Sequence, residues 1–158
     1  MRLILHTMDM KALRLLAASA LVFAISAASF SADWMTDYDK ALALSKKTGK
    51  PILADFTGSD WCGWCIRLRK EVFSKPEFNT WAKKNVILLE LDYPQAKPQT
   101  AALKKQNESL ATRYQIEGYP TILFLGSKGQ VLAQYGYDQG GPKVWTTNAS
   151  KMLKGKKV

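Results

Sequence analysis

Apolar residues recur at helical spacing over Trp34–Lys47, at Trp34, Tyr38, Ala41, Leu42 and Leu44, with Asp37 as an N-cap and Gly49 as a stop. Pro51–Phe56 switches to a short apolar run broken by one acid, Asp55, the pattern of a strand buried on both faces. Past the loop Thr57–Asp60 the 3.6 period returns, with Cys65, Leu68, Val72 and Phe73 on one side and Arg67, Arg69, Lys70 and Glu71 mostly on the other. A helix therefore begins at Cys62. Lys75-Pro76 interrupts it, and Pro76-Glu77 opens a short helix carrying Phe78 and Trp81. Val86–Asp92 reads as a second buried strand, Tyr93–Thr100 as a proline-containing surface loop, and Ala101–Tyr114 as a helix turning Leu103, Leu110 and Tyr114 inward. Thr121–Leu125 and Val131–Tyr135 form a hairpin around Gly126–Gly129, and Gly140-Gly141-Pro142 starts a last helix through Val144, Trp145 and Leu153. This order predicts an α/β domain: a mixed central sheet flanked by helices, with a parallel crossover first and an antiparallel hairpin last.

Composition narrows the chemistry. The 158 residues are 47% hydrophobic and 23% charged, enough for a single domain with a true core. There are two cysteines, Cys62 and Cys65, and two intervening residues cannot staple distant parts of a fold. The one histidine, His6, precedes a segment expected to be removed, so triads, Cys-His pairs and histidine zinc sites drop out and no metal is expected. Ile66 after Cys65 excludes covalent haem attachment.

The amino terminus reads as an address. Met10-Lys-Ala-Leu-Arg14 precedes a charge-free run of 16 residues, Leu15–Phe30, a basic n-region before an apolar h-region. A bilayer crossing wants about 20 residues, so a cleaved signal is the first reading and an uncleaved anchor from near Leu13 the second. Ser26 and Ala28 place cleavage before Ser29, giving a signal over 1–28, with the start possible at Met10, and a domain over 29–158. The expected location is periplasmic or secreted, without a membrane span once the signal is cut. Loss of Arg2, Lys11, Arg14 and Asp9 leaves a charge of +8, spread over the surface with a cluster at Lys151, Lys154, Lys156 and Lys157. No interleaved basic and aromatic surface points to nucleic acid.

The cysteines carry the functional reading. At a helix N-terminus the first N–H groups lack intrahelical acceptors and the macrodipole is positive, so Cys62 is favoured as a thiolate. Cys65, one turn on and more enclosed, suits the second attack. A bare CxxC also fits an inert clip or half of a metal site, but its position between an apolar strand and an amphipathic helix favours redox exchange.

Ile52–Phe56, Trp61-Cys62-Gly63-Trp64-Cys65 and Tyr119-Pro120-Thr121 resemble, in order, the buried-acid strand, redox motif and cis-proline turn of the thioredoxin superfamily. Phe56–Cys62, Glu71-Val-Phe73, Asn107-Glu108, Tyr119–Ile122 and Gly140–Pro142 are similar to exported thioredoxin-like proteins related to the C-terminal module of the periplasmic thiol:disulfide interchange reductase. The resemblance implies a thioredoxin fold and a thiol-disulfide oxidoreductase acting on protein thiols or disulfides, with an upstream redox partner protein and no bound cofactor. It implies a cis Pro120 that sets the Tyr119 backbone beside the cysteines, and Asp55 as a buried carboxylate moving a proton for Cys65. Cys62, Cys65 and Asp55 are thus the expected catalytic set, with Trp61, Gly63, Trp64, Tyr119 and Pro120 at the substrate edge. Reductase is the favoured direction, by resemblance; a monomer is expected, since no segment for dimerisation is seen. The alternative is a non-catalytic thioredoxin-like binding module with a structural disulfide, Trp64 and the proline-containing loop holding the partner.

Overall fold

The computed structural model describes residues 33–158; the expected signal over 1–28 lies outside them. Five α-helices and four strands follow in the order α1 (Tyr38–Thr48), β1 (Ile52–Thr57), α2 (Gly63–Leu68), a π-helical turn (Arg69–Phe73), α3 (Pro76–Asn85), β2 (Ile87–Asp92), α4 (Ala101–Arg113), β3 (Thr121–Leu125), β4 (Val131–Tyr135) and α5 (Gly141–Leu153). The sheet order is β2-β1-β3-β4. β1 pairs parallel with β2, Asp55 opposite Glu90, and antiparallel with β3, which pairs antiparallel with β4. This is a thioredoxin fold.

Every residue of β1 is buried because the strand sits mid-sheet with helices on both faces. Side-chain alternation then sorts two cores. Ile52, Ala54 and Phe56 join Tyr38, Ala41, Leu89 and Leu110 on the α1/α4 face. Leu53 joins Leu68, Val72, Phe78, Leu88, Phe124 and Trp145 on the α2/α3/α5 face. Asp55, two residues beyond Leu53, therefore points to the face covered by the cysteine-bearing helix. Trp145 is fully buried and donates from Nε1 to the Gly136 carbonyl at 2.9 Å, so its indole is both packed and satisfied.

Helix α1 begins where its cap is, not where the apolar pattern begins. Asp37 accepts from the Lys40 N–H at 2.9 Å, and Gly49 (φ 69°) returns its N–H to Ser45 at 2.8 Å. Trp34 consequently lies ahead of the helix, its ring 5.2 Å from Phe73, while Met35 bridges to Leu89 as a short parallel extension. The buried line on α1 is Tyr38, Ala41 and Ser45, leaving Leu44 exposed. Val144 likewise stays outward at 41% exposure, with Trp145, Thr146 and Ala149 facing in. Ser74 closes the π turn by donating to the Arg69 carbonyl at 2.9 Å, one residue beyond α spacing. No membrane-crossing length of apolar helix occurs among the described residues.

Candidate functional site

The site stands at the C-terminal ends of β1 and β2. Cys62 is the N-cap of α2: its backbone is extended, its N–H donates to the Gly58 carbonyl at 2.9 Å, and its Sγ accepts from the Cys65 N–H at 3.2 Å. The two sulfurs are bonded, with a Cα–Cα separation of 5.2 Å. Exposure barely separates them, at 7% for Cys62 and 4% for Cys65. The distinction is electrostatic. On reduction, the amide aimed at Cys62 Sγ favours a charge there, whereas Cys65 Sγ faces the more distant Gly58 N–H at 3.5 Å.

Asp55 lies beneath this helix, 3% exposed, and its Oδ1 has no hydrogen-bond partner among the described residues. Loss of water pushes its pKa up to about 8; Arg69 opposes the rise, and Glu90 and Asp92 add to it. The Arg69 guanidinium is engaged by Glu90 and lies 5.6 Å over the Trp34 ring. Glu90 is the β2 register partner of Asp55, so an ion pair closes the flank of the buried carboxyl. The pairing crosses 21 residues, and nothing in the local pattern announces it.

Trp61 is 42% exposed, yet anchored: Nε1 donates to the Tyr93 carbonyl at 2.7 Å and its ring meets Tyr119 edge-on at 5.6 Å. Gly58 makes room for it, since a Cβ there would lie 2.5 Å from the indole. A glycine at the exit of the strand is the signal that could have marked this position. Gly58→Ala is expected to expel the indole and cost about 1–3 kcal/mol; a chemical melt, with tryptophan emission shifted to longer wavelength, checks it. Unchanged emission and stability would show the packing to be tolerant.

The Tyr119–Pro120 peptide is cis and both residues are half-buried, with the Tyr119 ring beside Trp61. A side chain at Gly63 would meet open space, so packing does not demand glycine there. Trp64, 53% exposed, tilts against Tyr137 at 5.2 Å with Arg67 5.5 Å over its ring. Glu71 ties this group together, accepting from Tyr137 Oη at 2.5 Å and Arg67 Nε at 2.7 Å, and both bonds hold its carboxyl below the ordinary range. Tyr137 escaped the sequence reading because it reaches Glu71 across 66 residues. The loop after β2 is fixed as well: Asp60 accepts from the N–H groups of Gln95, Ala96 and Lys97 at 3.0, 2.7 and 3.0 Å. No group of three or more potential metal ligands occurs among the described residues.

A thioredoxin fold with a CxxC disulfide capping the helix after its first strand defines a thiol-disulfide oxidoreductase, and that is the enzyme class here. A thioredoxin-like family model matches residues 33–127, and the chain belongs to that family. It is 34% identical over 117 residues to the disulfide bond reductase DsbH of Chlamydia pneumoniae, covering 74% of this chain and 70% of that one. It is 36% identical over 96 residues to the thiol:disulfide interchange protein DsbD of Klebsiella pneumoniae, covering 61% of this chain but 14% of DsbD. A solved DsbH oxidoreductase superposes with a TM-score of 0.76 at 32% identity, over 80% of this chain and 87% of that one.

Proposed function

We propose that this chain is an exported reductase of protein disulfides, using Cys62 as nucleophile and Cys65 to complete the exchange. The observation that carries the assignment is Cys62 Sγ held at the helix N-terminus by the Cys65 amide. The Cys62 thiolate attacks one sulfur of a client disulfide, forming a mixed disulfide and releasing the other client sulfur as a thiolate. Cys65 then attacks Cys62 Sγ, expelling the second client sulfur and closing the Cys62–Cys65 bond. Two electrons pass to the client. Asp55 accepts the Cys65 proton, for which a carboxyl titrating near 8 is suited. A dithiol protein upstream restores the reduced pair.

The reductase direction is supported by the name of DsbH, and client binding by the aromatic rim. Trp61 and Tyr119 present one edge beside the cis proline, and Trp64 with Tyr137 the other. The charge-free run Leu15–Phe30 supports export through a cleaved signal. The redox potential tests direction: equilibration with glutathione is expected to give a value near that of thioredoxin, about −270 mV, whereas one near −120 mV would make the protein an oxidant.

A further inference from the structure

We propose that Glu71 is a positioning residue for client binding: through Arg67 and Tyr137 it holds the Trp64 indole as a fixed wall beside the cysteines, and that wall selects client disulfides with an aromatic side chain next to the cysteine. The inference rests on the reading of this site as one for protein disulfides, and not on the redox direction. Glu71 uses both oxygens, Oε1 accepting from Arg67 Nε at 2.7 Å and Oε2 from Tyr137 Oη at 2.5 Å. The guanidinium so held lies 5.5 Å over the Trp64 ring and 5.4 Å over that of Tyr137, and the two rings tilt together at 5.2 Å. One carboxylate thus fixes both neighbours of the indole.

Folding stability does not account for the cluster. The side chains of the Arg67–Glu71 pair are 49% and 37% exposed, where an ion pair adds little. Trp64 is 53% exposed and belongs to neither core. What the contacts remove is freedom. The segment carrying Tyr137, between β4 and α5, is itself pinned: Asp138 accepts from Tyr135 Oη at 2.7 Å and from Asn148 Nδ2 at 2.9 Å, and Trp145 donates to the Gly136 carbonyl. An indole already fixed costs less to dock against than one that must be ordered on binding.

The place of the wall names what it meets. Trp61, Trp64 and Ile66 are large apolar side chains left exposed within one short stretch, and Cys62 lies between the first two. A client disulfide that reaches Cys62 brings its flanking residues against these side chains. Glu71 neutralises Arg67, so the Trp64 wall offers ring surface with no net charge, which suits an aromatic side chain in offset or edge contact. A basic flanking residue finds a guanidinium already over the ring.

The test uses two peptides of equal length, each with an internal disulfide, one carrying Phe and the other Ser beside its first cysteine. Pre-reduced protein reduces each in a single turnover, the two electrons coming from the Cys62–Cys65 pair, and the limiting rate and half-saturating concentration are read. If the equilibrium lies the other way, oxidised protein is given the reduced peptides. The ratio of the two peptides on one protein cancels any change in potential or thiol reactivity. Wild type is expected to favour the Phe peptide by about tenfold, and Trp64→Ala to abolish the preference. Glu71→Ala and Tyr137→Phe should each raise the half-saturating concentration of the Phe peptide about fivefold with its limiting rate retained. Glu71→Gln, which keeps an acceptor, should recover part of the loss. Equal turnover of the two peptides by wild type, a preference that survives Trp64→Ala, or an equal loss on both peptides in Glu71→Ala and Tyr137→Phe would overturn the proposal and leave the exchange chemistry intact. Turnover of neither peptide in either direction would instead remove the function on which it rests.

Discussion

Cys62→Ser is expected to take the reduction of insulin disulfides to the uncatalysed background, a loss of about 10⁴-fold or more, because an alcohol is not ionised at neutral pH. The fold should survive. A disulfide closing so short a loop is worth about 2 kcal/mol in the loop-entropy model, and a serine oxygen can take over the N-cap bond from the Cys65 amide. Cys65→Ser should fail differently: Cys62 still attacks, but nothing resolves the mixed disulfide, so a stoichiometric covalent adduct with client accumulates. Non-reducing electrophoresis distinguishes the two. If Cys62→Ser turned over insulin at the wild-type rate, or if the adduct formed through Cys65 instead, the assigned order of attack would be wrong.

Much of this arrangement is written locally. The caps Asp37 and Gly49, the proline opening α3, the apolar run of β1 and the turn glycines of the hairpin each act within a few residues, where hydrogen bonding and permitted backbone angles decide the outcome. Period 2 in β1 even assigns Asp55 to the face of Leu53 and hence to the underside of the cysteine helix. Other features depend on contacts closed by the whole fold. Trp34 fits the helical spacing of α1, but the cap at Asp37 and the Phe73 and Phe78 rings place it outside the helix. The π turn differs from an α turn by one residue of register, too little for a five-residue pattern to disclose. Arg69 reads as one more exposed cation on an amphipathic helix, yet in the fold it pairs with Glu90 beside Asp55. Pairwise electrostatics of that kind require the strand register, which no single segment contains.

That register makes Asp55 the group whose titration most alters the molecule. Its pKa rises from 3.8 in the free side chain to about 8 in the fold. Between these values the folded chain keeps a proton that the unfolded chain gives up. This contribution to stability is therefore fully present below pH ~4 and is lost as the pH climbs toward 8, with a slope of at most about 1.4 kcal/mol per pH unit. The half-buried carboxyls Asp37, Asp60, Glu71 and Asp138 are shifted down by the hydrogen bonds they accept and act in the opposite sense, with stability lost as the solution becomes acidic. An Asp55→Asn variant retains those groups and lacks the buried proton. Guanidinium unfolding of the oxidised proteins at pH 5, 6, 7 and 8 should therefore show the wild type falling steadily relative to the variant. Client reduction by Asp55→Asn should drop by about a hundredfold, and the limb of its pH–rate profile near 8 should vanish, since an amide cannot accept the Cys65 proton. Parallel stability curves for the two proteins would mean that Asp55 is ionised in the fold at neutral pH. An unchanged pH–rate profile beside diverging stabilities would leave Asp55 a buried structural acid, and proton removal from Cys65 would fall to water.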